Sequence, residues 1–274
     1  MNKDTRSVVL IHGLWMTGLS WEHWVERYTG KGYRVVARSW PGLDGNIEEL
    51  RRDPTAIATL GITEVVDHYE TIARGLESCP IIMGHSFGGL ITQILLDRGL
   101  GSAAVAIATA PVKGIILLPF STLKVSFPAL SNPANNHRDL PLTPEQFHYV
   151  FTNTLSGEES LAAFQRYAVP GPDHVLFQAA FANFNPHAAT TADFGNSSRA
   201  PLLLIAGGQG PHLAAFRGEG ELHMYRKSSA VTDYKEFPER THFTLGQTGW
   251  EEVADYALTW AETHWHDAAK FATR

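Results

Sequence analysis

Short runs of consecutive apolar residues alternate along the chain with stretches in which apolar residues recur every three or four positions. The runs Ser7 to Ile11, Tyr33 to Ser39, Pro80 to Gly84, Ala103 to Thr109, Pro201 to Gly207 and Tyr234 to Phe237 are predicted to be strands. Most are apolar without interruption, as strands covered on both faces should be. Between the first two, Trp21, Trp24, Val25 and Tyr28 keep helical spacing and stop at Gly30 and Gly32. A second helix is predicted through Val65, Tyr69, Ile72 and Leu76, and a last one through Trp250, Val253, Ala257, Ala261 and Trp265, opened by a Thr248/Glu251 capping box. Strand, helix, strand in repetition predicts an α/β fold with a mainly parallel, doubly wound sheet.

The alternation breaks between about Val112 and Gly195, where helix signals replace strand signals. Thr143-Pro144-Glu145-Gln146 reads as N-cap, N1 proline and capping-box glutamine, with Leu142 and Phe147 spaced for a hydrophobic staple. Ser156 and Glu159 repeat the box, and Asp173 opens a further helix through Leu176 and Ala180. The expected organisation is a core of residues 1–111 and 196–274 with a helical cap, 112–195, inserted in it. Most aromatic residues of the cap are expected to pack between its helices. Phe120, Phe147, Phe151 and Phe181 are proposed to line part of a substrate pocket, together with Trp15 and His85 of the core.

Composition narrows the function classes. With 22 Lys and Arg against 28 Asp and Glu the net charge is −6, so a phosphate backbone finds no basic stripe and a nucleic-acid partner is not expected. No apolar run approaches the roughly 20 residues that span a bilayer, so no membrane partner is expected. The N-terminal apolar run is too short for a signal-peptide core, and one cysteine, Cys79, makes no internal disulfide; both fit a cytoplasmic setting. His264-Trp265-His266 puts its histidines on different sides of a helix, and Gly208-Gln209-Gly210 lacks the third glycine of a dinucleotide loop. Neither a metal nor a cofactor is expected.

Gly84-His85-Ser86-Phe87-Gly88 places a G-x-S-x-G element where a strand meets a helix through Leu90, Ile91, Ile94 and Leu95. A sharp turn there exposes the Ser86 hydroxyl at a helix N-terminus, with the Phe87 N–H available to a developing oxyanion. His12-Gly13-Leu14-Trp15 follows the first strand, where a second donor is needed, and Leu14 N–H is the candidate. His242 lies between the last strand and the last helix, at the carboxyl edge of the sheet that also carries Ser86.

Through H-G-L-W at 12–15, G-H-S-F-G-G at 84–89 and R-T-H-F at 240–243, the chain resembles the α/β-hydrolase superfamily over almost its whole length. It is most similar to small bacterial esterase, haloperoxidase-like and hydroxynitrile-lyase-like members. The resemblance implies an α/β-hydrolase fold with Ser86 as nucleophile and His242 as base. It also exposes a departure. The superfamily places its catalytic acid in a pattern like G-G-x-D after the strand that is here Leu202 to Ala206, and this chain reads Gly207-Gly208-Gln209-Gly210. The other site used by relatives, here Ala108 to Pro111, has no carboxylate either. Asp193, Glu219, Glu221 or Asp139 could reach His242 in the fold, or the Gln209 carbonyl could accept its N–H. The expected substrate is a small or medium apolar ester, lactone or thioester. The alternatives are acyl transfer, cyclisation or lyase chemistry in the same pocket, and an inactive ligand-binding member of the fold.

Overall fold

A computed structural model describes residues 6–115, 139–209 and 219–265. The main sheet is built from β1 (Ser7–Ile11), β2 (Arg34–Val36), β3 (Ile81–His85), β4 (Ala103–Ile107), β7 (Leu202–Gly207) and β8 (Thr232–Phe237), in spatial order β2-β1-β3-β4-β7-β8. Every pairing is parallel. The run predicted over Tyr33 to Ser39 pairs only over Arg34–Val36: farther on, Tyr69 takes the Arg38 carbonyl (2.5 Å) and Ser39 Oγ accepts the Gly18 N–H (3.2 Å).

Alternation within the strands divides the core between two faces. Val8, Leu10, Ile81, Met83, Val105 and Leu203 pack with Trp21, Trp24, Tyr28, Val253 and Ala257, the apolar sides of α1 (Glu22–Gly30) and α9 (Trp250–Thr263). Val9, Ile11, Ile82, Ala104, Ala106 and Leu204 pack with α3 (Ile62–Arg74) and α4 (Phe87–Asp97) on the other face. A short helix, α2 (Ile47–Arg52), precedes α3. Helix α1 ends as expected at Gly30; Gly32 takes a positive φ of 90°, and the Tyr33 N–H returns to the Tyr28 carbonyl (3.1 Å). The Thr248/Glu251 capping box does not form. Gly249, at φ 82°, is the N-cap of α9, and the Arg240 guanidinium takes the Thr248 and Gly249 carbonyls where the box would close.

Between β4 and β7 the chain leaves the sheet. Its described part there contains β5 (Asp139–Leu140), α5 (Pro144–Phe151), α6 (Gly157–Tyr167), β6 (Gly171–Pro172) and α7 (Asp173–Ala180), with β5 and β6 paired antiparallel. Both predicted capping boxes, Thr143/Gln146 and Ser156/Glu159, are formed. Leu142, Phe147, Phe151 and Tyr167 join the same apolar cluster as α3 and α4, so this segment packs onto the core. Arg51 of α2 donates to the Phe164 and Ala168 carbonyls (2.7 and 2.9 Å), and Glu22 accepts from Arg166 and Tyr167 (2.6 and 2.7 Å), fastening the end of α6. α8 (Glu219–Tyr225) precedes β8.

The chain moves one way across the sheet from β1 to β2 and the other way from β3 onward. That reversal opens a crevice at the carboxyl ends of β1 and β3. His12 and Ser86 are the next residues after those ends.

Candidate active site

Ser86 joins β3 to α4 with φ 56° and ψ −119°, a conformation that costs a non-glycine residue on the order of 1–3 kcal/mol and persists only where its surroundings enforce it. The enforcement is visible. The Ser86 N–H donates to the Ile107 carbonyl (2.9 Å), and its carbonyl accepts from Gly89 and Ala110 (both 2.9 Å). The flanking glycines are required by close backbone approach: a Cβ at Gly84 would lie 2.0 Å from the Gly88 carbonyl oxygen, and one at Gly88 would lie 2.0 Å from that of Ile11. Phe87 is the first residue of α4, so its N–H belongs to the first-turn amides without an intrahelical partner, at the positive end of the helix.

His242 lies in the loop between β8 and α9, with Nε2 3.1 Å from Ser86 Oγ. Two neighbours hold that loop. Gln247 Oε1 accepts the Thr241 N–H and hydroxyl (2.8 and 2.9 Å), and the Phe243 N–H donates to the Phe151 carbonyl (2.9 Å). The Phe151 ring stands 5.1 Å from the His242 ring.

The loop after β1 presses against Ser86: a Cβ on Gly13 would come 2.8 Å from Ser86 Cβ. His12, fully buried, donates from Nδ1 to the Gly13 carbonyl (2.8 Å) and accepts the Trp40 N–H at Nε2 (2.9 Å), a tautomer assigned from these partners. Burial drives its pKa down to about 3, so the ring is neutral. Because a peptide is planar and trans, anchoring the Gly13 carbonyl to His12 turns the Leu14 N–H to the opposite side. Trp15 has a positive φ of 65° and its carbonyl accepts the Val169 N–H (2.9 Å) from the segment between β4 and β7. Gly171 of that segment packs on Leu14 and Trp15.

Of the pocket candidates, Trp15 and Phe151 meet edge to face (6.3 Å between centroids) beside His242. Three others are corrected. Phe147 lies behind Phe151, one turn back along α5, stacked on it at 4.8 Å and closed in by Phe164 and Phe243, so Phe151 stands between it and His242. Phe181, just past α7, is 52% exposed and stacks on Phe177. His85 is fully buried beneath the site, with Nε2 bonded to the His242 carbonyl (2.7 Å). Phe120 lies outside the described residues.

The carboxylate candidates separate in the same way. Asp193 is exposed, bonds the Gly195 N–H, and its own N–H donates to Asp97, the last residue of α4. Eleven helical residues, about 16 Å at 1.5 Å each, separate that end from Ser86, so Asp193 does not orient His242. Glu221 is buried against the β4 exit and accepts the Val112 N–H (3.2 Å); burial raises its pKa to about 8, which leaves it uncharged at neutral pH. Glu219 opens α8, and its side chain and Gly210 lie outside what the structure describes. The Gln209 N–H donates to the Arg240 carbonyl (2.8 Å), and Gly207 and Gly208 pack on Arg240, Thr241 and Pro238. The exit of β7, where relatives carry the acid, is thus bonded to the loop that holds His242.

The sequence reading missed His12 and the bond made by His85. The available signal was their position: each is a histidine at the carboxyl end of a fully apolar strand, where a free imidazole could not be buried.

A family model described as "Alpha/beta hydrolase family" matches residues 8–256. The chain belongs to that family. No curated protein matches it by sequence. Among solved structures, this α/β hydrolase is similar to a monoacylglycerol lipase from Paleococcus ferrophilus (20% identity, TM-score 0.66, covering 95% of this chain and 96% of that one). It is also similar to an extracellular α/β-hydrolase from a Paenibacillus species (19%, TM-score 0.65, 93% and 98%) and to tomato methylketone synthase I, solved with 2-tridecanone (16%, TM-score 0.67, 95% and 99%). At these identities the likeness is one of fold.

Proposed function

We propose that this α/β hydrolase is a serine-dependent enzyme that cleaves a small or medium apolar ester, lactone or thioester. The observation that carries the reading is the 3.1 Å approach of His242 Nε2 to a Ser86 hydroxyl held at a strained strand-to-helix turn. His242 accepts the hydroxyl proton as Ser86 Oγ attacks the substrate carbonyl, and returns it to the leaving group. The Leu14 and Phe87 N–H groups stabilise the oxyanion; each such donor is worth about 10²–10³ in rate where one has been removed. Water then attacks the acyl-serine with His242 again as base. Residues 112–195 act as the cap in this reading, with Trp15 and Phe151 as an apolar wall for the acyl group.

The reading is tested with a fluorophosphonate and a p-nitrophenyl ester. The expected results are an adduct on Ser86 of the wild type, none in Ser86→Ala, and ester turnover lost in that variant. A wild type that forms no adduct overturns it.

A second reading, carbonyl chemistry without efficient hydrolysis, is favoured by the sequence Gly207-Gly208-Gln209-Gly210, in which Gly210 stands where relatives carry the acid. Tomato methylketone synthase I shares the fold. In that case the phosphonate adduct forms and esters turn over slowly.

A further inference from the structure

We propose that His85 is a positioning residue that fixes the distance between the nucleophile and the base. The inference rests on the Ser86–His242 reading above. Two contacts join the same two short pieces of chain: Ser86 Oγ meets His242 Nε2 at 3.1 Å, and His85 Nε2–H donates to the His242 carbonyl oxygen at 2.7 Å. Residues 85 and 86 are covalently adjacent, so the two contacts close a ring through the backbone. Neither His242's main chain nor its imidazole can withdraw from Ser86 without breaking one of them. The partner is 157 positions away, so the bond ties the elbow directly to the loop.

The remaining features of His85 agree with this role. It is fully buried, so it touches no solvent and needs no substrate to hold it in place. Its Nδ1 has no hydrogen-bond partner among the described residues, which leaves the His242 carbonyl as the contact that satisfies the ring. Burial lowers its pKa to about 4, with the His242 carbonyl pulling the other way. The ring thus stays neutral 4.8 Å from an imidazole that must become positive during the reaction. A protonated neighbour there would oppose the proton transfer that His242 performs.

The test compares His85→Gln, whose amide nitrogen stands the same number of bonds from Cα as Nε2, with His85→Leu, which has no donor. Melting temperatures are recorded for both. The expected result for His85→Leu is a fall in kcat and in phosphonate labelling on the order of 10- to 100-fold, with KM within about twofold. His85→Gln should recover most of it. Independently of turnover, the His242 Hε1 NMR resonance should broaden or split in His85→Leu and stay single in the wild type and His85→Gln. Where His85→Leu does not fold, His85→Asn, whose amide is one bond too short, replaces it. A folded His85→Leu, or the His85→Asn that replaces it, with unchanged labelling and an unchanged His242 resonance overturns the proposal, as does His85→Gln falling as far as that variant. A wild type without phosphonate reactivity refutes the Ser–His reading instead, and the resonance comparison still decides whether His85 holds the loop.

Discussion

Glu221→Gln should stabilise the protein, and by an amount that grows with pH. Glu221 is buried between α8 and the β4 exit, beside the chain of bonds in which the Tyr225 hydroxyl donates to Gln93 and the Gln93 amide to Thr109 (both 3.0 Å). Burial raises its pKa from 4.5 to about 8; the Val112 N–H and the Gln93 side chain pull the other way. The folded chain therefore keeps a proton that the unfolded chain has lost over the window between those values. Below pH 4.5 both states are protonated and there is no cost; stability then falls as pH rises, until the folded state ionises near pH 8. At 1.36 kcal/mol per pH unit the loss is at most about 3 kcal/mol at pH 7 and about 5 kcal/mol at pH 8. Glutamine keeps the shape and the acceptor for Val112 without the ionisation. Urea unfolding of both proteins at pH 5, 7 and 8.5 should give curves that are close at pH 5 and diverge above it. A stability difference that is constant with pH, or that shrinks, would refute a protonated buried Glu221.

Gly171→Ala would set a Cβ 2.9 Å from Leu14 Cδ1 and 3.0 Å from Trp15 Cδ1, so it should push the loop that carries the proposed oxyanion donor Leu14 and lower kcat about tenfold or more while the melting temperature moves by a few degrees; steady-state ester kinetics beside calorimetry check it. His12 and His85 have folded pKa values of about 3 and 4 against 6.5 unfolded, so the stability they contribute is present above pH 6.5 and is lost as pH falls toward 4 and then 3; urea midpoints measured from pH 7.5 to 4 should drop, and a midpoint constant to pH 4 contradicts two buried neutral rings. Gly210→Asp places a carboxylate at the sequence position where relatives carry the acid, and ester turnover above both wild type and Gly210→Asn, each folded, is the expected outcome; a complete rescue approaches about 10⁴-fold.

What the sequence disclosed, and what it withheld, follows the range of each interaction. The four central strands, β1, β3, β4 and β7, were legible because their burial on both faces leaves an apolar run in the sequence itself, whereas the edge strands β2 and β8 are partly exposed and carry charged residues. The elbow was legible because its parts are contiguous: Gly84, Ser86 and Gly88 contact one another and the strand beside them. Asp193 could have been set aside by the same reasoning. It precedes β7, and in a parallel sheet the starts of the strands lie at the edge opposite to Ser86 and His242. The aromatic residues of the 112–195 segment were different. Phe147 and Phe151 are four residues apart on one helix, and the local pattern of both is the same. Phe151 reaches His242 and Phe147 backs it because the two share one face of α5 and differ in position along its axis: the Phe151 end meets His242, and Phe147 meets Phe164 and Phe243, all from remote positions. His85 lies at the limit of this argument: its position next to Ser86 was plain, and its meaning depended on a carbonyl 157 residues away. A residue flanking a nucleophile is therefore read correctly only when the partner of its side chain is known. Here that partner, the His242 carbonyl, moves His85 from the pocket lining to a contact beneath the site.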